Sequence, residues 1–112
     1  MTARNPLLTA PPYPVEQSIT RLGSNLRTAR LRRNLTIREV AQKIGTGSRA
    51  VMDAEKGKAS TGIAVYVALL WAYDLLGQLS ATGNPDSDEE GKTLAMSRER
   101  SRARSGGLDN DF

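Results

Sequence analysis

The sequence predicts an all-α protein: a small bundle of helices between flexible N- and C-terminal segments. Three observations lead there. Residues 22–57 read as three short helices, two of them joined across the tight turn Gly45, Thr46, Gly47 to Ser48. Residues 63–73 form an apolar run of helical length. The chain has 112 residues with no Cys and no His, which allows one small domain plus tails and no disulfide scaffold.

The elements follow in order. Residues 1–15 form a Pro-rich arm without regular structure, because Pro11, Pro12 and Pro14 each exclude an interior helix position. Ordered structure is expected to begin near residues 16–18, opening a domain over residues 16–80. The first helix runs to about Arg33, with Leu22, Leu26, Ala29 and Arg30 at offsets of 0, 4, 7 and 8 on one face. Asn34 is a suitable end because Asn tolerates the left-handed conformation. Thr36 then caps a second helix at about residues 37–44, with Glu39 three residues on to complete a capping box and Leu35 set to clamp against Val40 or a near neighbour.

Gly45 sits where the chain needs a left-handed or otherwise tight turn. Ala41 is small where two helices approach, and Val51 plugs the third helix onto the second. That third helix is expected from Ser48 to Gly57. A fourth, about residues 63–74, is apolar on every side, whereas a surface helix of a small domain shows a polar face. Its second face therefore calls for another chain, with Val65, Val67, Ala68, Trp71 and Leu75 as interface residues. Residues 75–79 continue as a short fifth helix or an extended segment. Residues 81–112 make a charged tail in which residues 88–104 form a weak helix or stay disordered. Acids at its front and arginines at its back suit the helix dipole, and a flexible hinge follows from Ser105.

Charge is concentrated. Residues 21–58 hold ten basic and three acidic side chains, a local excess of +7 against +4 for the whole chain. A basic block centred on a helix–turn–helix is the electrostatic footprint of a phosphate binder. Without Cys or His, thiolate metal sites and imidazole acid–base chemistry are excluded. The acidic pairs in the tail have no apolar wall to shift a pKa, so enzymatic activity is not expected, nor is a cofactor or metal. The most apolar stretch, residues 63–79, is short of the roughly 20 residues a membrane helix needs. No secretory segment is evident, and the protein is expected to be soluble and cytoplasmic.

Leu22, Leu26, Arg30, Asn34, Thr36, Glu39, Ala41, Gly45, Val51, Glu55 and Gly57 together resemble the lambda-repressor-like (Cro/C1-type) helix–turn–helix family over about residues 19–79. The resemblance implies a compact five-helix bundle that binds a palindromic operator in double-stranded DNA as a homodimer. It implies a structural ion pair between Arg30 and Glu55, a backbone contact at Thr36, and base reading by Ser48, Arg49 and Asp53.

The chemistry of those positions can be assessed separately. With Val51 and Ala54 facing inward, residues 48, 49, 52 and 53 face outward. Arg49 can read guanine through O6 and N7. Asp53, four residues on, either accepts from cytosine or orients Arg49, and orientation is favoured because a carboxylate near phosphates is penalised. Met52 either touches a thymine methyl or packs. Arg38, Lys43, Lys56 and Lys58 are phosphate contacts that set register without reading sequence, and Thr46 joins them.

Ile37 departs from the family's usual Gln, so that phosphate clamp is absent or passes to Arg38. Ala54 is smaller than the usual Leu or Ile. Ser48 or Thr46 must cap the recognition helix. Within the family, the apolar fourth helix and the acidic-to-basic tail are similar to HipB-type antitoxins of toxin–antitoxin modules. That likeness implies repression of the protein's own operon and binding of a HipA-like kinase toxin. A stand-alone transcriptional regulator with a solubilising tail is the alternative.

Overall fold

A computed structural model describes residues 5–110, with side chains described to residue 105. The parts of the arm and tail at residues 1–4 and 111–112 lie outside it. Six α-helices and two 3₁₀ segments occur among the described residues, with no strand. They divide into two units, residues 1–77 and residues 78–112. The boundary falls inside a 3₁₀ segment, Leu76–Ala81, where sequence left helix and extended chain open.

The N-terminal arm is more regular than expected. Helix α1, Pro6–Thr9, is a single turn capped by Asn5, whose side-chain oxygen accepts from the Leu7 N–H at 3.0 Å. Helix α2, Tyr13–Arg32, begins several residues before the expected start, with Pro12 at its N-cap. Pro14 lies in its first turn, where a missing N–H removes no intrahelical bond. A proline excluded from a helix interior is thus compatible with a helix start.

Helices α3, Ile37–Ile44, α4, Ser48–Glu55, and α5, Ile63–Ala72, complete the first unit. Both ends of α3 obey local rules. The Thr36 hydroxyl accepts from the Glu39 N–H at 3.1 Å, and the Glu39 carboxylate accepts from the Thr36 N–H at 3.1 Å. Gly45 ends the helix at φ 80°, in the left-handed region, and Asn34 ends the preceding one at φ 55°. In a residue without a Cβ the first of these carries no steric cost.

Helix α4 sits centrally, touching α2, α3 and α5. Val51 and Ala54 are fully buried there, with Leu26 and Ala29 of α2, Val40 and Ala41 of α3, and Leu69 of α5 also in the core. The end of α4 meets α2 backbone to backbone. A Cβ on Gly23 would run into the Ala54 carbonyl oxygen and lie 2.8 Å from the Glu55 oxygen, and Gly57, at φ 70°, faces the Thr20 backbone equally closely.

Helix α5 is divided into two faces. Tyr66, Leu69 and Leu70, with Tyr73 just beyond, are buried, whereas Ile63 and Trp71 are 70% and 55% exposed. Val65, Val67, Ala68 and Leu75 are half-buried. The apolar run therefore lines the core on one side only. Arg33 closes this end of the unit by donating to the Tyr73 carbonyl at 2.8 Å, with its guanidinium over the Tyr73 ring at 5.5 Å. No helix among the described residues is long and apolar enough to cross a membrane.

The second unit is built differently. After a 3₁₀ turn at Pro85–Ser87, helix α6 runs from Glu89 to Asn110. It passes through Gly106 and Gly107, where a hinge was expected; extension of a nucleated helix needs only one new bond per residue. Asp88 caps it, its carboxylate accepting from the Gly91 N–H at 2.9 Å. From Glu89 to Ser105 every residue is exposed except half-buried Gly91.

Candidate nucleic-acid interface

Helix α4 has a locked inner face and an open outer one. Ser48, Arg49 and Lys56 are exposed, Met52 and Asp53 half-buried, and Thr46 in the turn half-buried. The N-cap is Gly47, at φ −79° and ψ 157°, with no side-chain cap. This corrects the expectation that Ser48 or Thr46 caps the helix: Ser48 is already inside its first turn. The Thr46 N–H instead donates to the Ala41 carbonyl at 2.9 Å, tying the turn to α3. The first amides of α4 are consequently left without a side-chain acceptor.

Asp53 lies between two cations. Its carboxylate oxygens are 3.8 Å from Arg49 Nε and 3.9 Å from Lys58 Nζ, and its side chain is only 21% exposed against 81% for Arg49. At those distances the pairs hold direction more than they add stability, since exposed pairs contribute about 0–1 kcal/mol. The arrangement suits Asp53 to orienting Arg49. Lys58 is anchored through its backbone, its carbonyl accepting from the Tyr66 hydroxyl at 3.1 Å and its N–H donating to the Asp53 carbonyl at 3.1 Å.

Behind this surface Arg30 joins three segments. It donates to both Glu55 carboxylate oxygens, at 2.7 Å through Nε and 3.1 Å through its terminal nitrogen, and to the Leu35 carbonyl at 2.9 Å. Both side chains of the pair are under one-tenth exposed. The hydrogen bond that Arg30 donates to Glu55 holds its guanidinium above its ordinary pKa, outweighing desolvation, which acts the other way. A bidentate pair of this kind fixes how the end of α4 meets α2. Nearby, the Tyr73 hydroxyl is buried with no hydrogen-bond partner among the described residues, and burial pushes it up to about 12.

Arg27, Ile37, Met52 and Lys56 share with the ion pair an open cleft of about 430 Å³. Met52 and Ile37 thus meet the same cleft, giving Met52 a packing environment. Arg27 went unmarked in the sequence; its position three residues before Arg30 on the same helix was the available signal. Thr36 and Arg38 are exposed at the start of α3, and the Thr36 hydroxyl proton is not used by the capping bond it accepts. Lys43 is drawn elsewhere. Its ammonium donates to the Ala72 carbonyl at 3.3 Å and lies over the Trp71 ring at 5.8 Å, so the structure engages it at the end of α5 and does not bring it to the α4 surface.

Among the described residues no group of three acidic, His or Cys side chains is placed to hold a metal ion. No family model, curated protein or solved structure matches the chain.

Proposed function

We propose that the protein is a sequence-specific DNA-binding transcriptional repressor of the lambda-repressor-like class, acting as a homodimer on a palindromic operator. The observation that carries this is the outer face of α4. Ser48 and 81%-exposed Arg49 project from a helix whose other side is anchored by fully buried Val51 and Ala54, with Asp53 set beside Arg49. A short helix held rigidly from behind and open in front can enter a major groove with its side chains pre-aimed. The order of α2, α3, α4 and α5, followed in the chain by a 3₁₀ segment, supports the five-element bundle of that class. Thr36, Arg38, Lys56 and Lys58 would contact phosphates on either side, and the uncapped amides of α4 offer a further phosphate ligand.

The half-buried or exposed apolar residues Val65, Val67, Ala68, Trp71 and Leu75 support pairing of two chains through α5. A finer reading makes the repressor a HipB-type antitoxin that also binds a HipA-like kinase toxin; a stand-alone regulator is the other. Recovery of a kinase-like partner from the native cell separates them.

Selection of duplexes from a random pool tests the main proposal. An inverted repeat should be enriched, and Arg49→Ala should flatten the preference at one position per half-site, at a cost of about 1–3 kcal/mol in specific binding. Unchanged base preference in the variant overturns the assignment of α4 as the reading helix.

A further inference from the structure

We propose that the C-terminal half of α6 is a second duplex-binding element, gripping phosphates on both walls of a groove without reading bases. Arg98, Arg100, Arg102 and Arg104 lie on this helix, all exposed, and among the described residues none is ion-paired. Between Gly91 and Ser105 a single acid, Glu99, offsets them. The acidic front of the segment ends at Glu90, about 12 Å along the axis from Arg98 at 1.5 Å per residue.

Their spacing decides what they can bind. At about 100° per residue, Arg98 and Arg102 lie some 40° apart on one side of the helix, and Arg100 and Arg104 form an equivalent pair nearly opposite. An acidic protein surface or a lipid bilayer meets a helix from one side and would engage only one pair. A duplex groove about 12 Å wide admits a helix of 10–12 Å diameter between two phosphate walls, so that both pairs are used at once. The apolar residues give the same answer. Leu94 and Met96, 61% and 52% exposed, also project in nearly opposite directions and make no face for lying on a membrane.

The helix has no core to lose, so its charges can be altered without touching a packed residue. The test uses the full chain and a labelled duplex of scrambled sequence, with affinity followed from low to moderate salt. Each phosphate contact contributes about 0.9 to the slope of log affinity against log salt. Replacing Arg98, Arg100, Arg102 and Arg104 by Gln should lower the slope by about 2–4 and weaken binding at low salt by roughly tenfold or more. Replacing the same four by Lys should retain the slope. An unchanged slope in the Gln variant overturns the proposal, as does tighter binding of the native chain to phosphatidylserine vesicles than to the duplex.

The inference goes beyond the base-reading role of α4, and the two fail separately. If the Gln variant keeps its slope while Arg49→Ala loses base preference, the tail inference falls alone. If Arg49→Ala changes nothing while the Gln variant loses its slope, the role of α4 falls and the tail remains a duplex-binding element.

Discussion

Helix α4 has 8 residues and α6 has 22. Yet only the shorter is held by what surrounds it. An isolated helix under about 12–15 residues is marginal in water, so α4 exists because Val51 and Ala54 are enclosed by three other helices and because Arg30 holds Glu55 at its end. Helix α6 encloses nothing. Its local supports are the Asp88 cap, acids at its front and arginines toward its back. Charge therefore has opposite uses in the two regions. In the Arg30–Glu55 pair it is nearly buried and fixes geometry; along α6 it is exposed, and Arg98, Arg100, Arg102 and Arg104 have no ion-pair partner among the described residues.

Breaking the buried pair should have the largest effect. Glu55→Ala leaves the Arg30 guanidinium without its partner and should cost about 3–5 kcal/mol in urea unfolding of the full chain. Glu99→Ala, the corresponding loss of a carboxylate on α6, should stay within about 0.5 kcal/mol. Similar values for the two would dissolve the contrast.

A second test addresses burial, the largest cause of the raised Tyr73 pKa, with the charges of Glu55, Arg30 and Arg33 acting on it less. The Tyr73 phenol sits at about 12 in the folded protein against an ordinary value of 10.0. The raised value means that folding favours the neutral form. Its contribution is fully present below pH 10 and is lost as pH rises through about 12, a loss on the order of 3 kcal/mol. Tyr73→Phe should remove this component from the alkaline denaturation profile. Because the hydroxyl has no hydrogen-bond partner among the described residues, the variant should be neutral or slightly stabilising at pH 7. An unaltered alkaline profile would show that Tyr73 is not the titrating group.

A smaller effect than those at Glu55 and Tyr73 is expected at the cap of α6. Asp88→Ala should weaken that helix by about 1 kcal/mol and reduce the helical circular dichroism signal. The urea midpoint of the bundle should not move. A shift in that midpoint would mean that the two units are energetically linked.

Much of the bundle could be read from residues in order along the chain. Thr36 and Glu39 announced the start of α3, Gly45 its end, and Asn34 the end of α2, because caps and left-handed turns depend on neighbours a few positions away. The inward placement of Val51 and Ala54, and with it the outward placement of Ser48 and Arg49, followed from helical periodicity. The direction of charge along α6 was equally plain.

Other features depended on where distant segments meet. Tyr13 starts α2 because prolines fit its first turn, although the same prolines argued against helix by their type. Gly47, not a hydroxyl residue, became the cap of α4 once the turn closed onto Ala41. Lys43 was committed to the end of α5 only when Ala72 and Trp71 came within its reach, and Arg33 to Tyr73, forty positions away. The close approach of Gly23 to the end of α4 has no local signature at all. Sequence by itself determined that α3, α4 and α5 are helical and that Val51 and Ala54 of α4 face inward, since those properties are set within a turn or two of chain. Only the tertiary structure decided which cations are spent inside the fold and which remain at the surface, because that depends on the carbonyls and carboxylates that packing brings beside them.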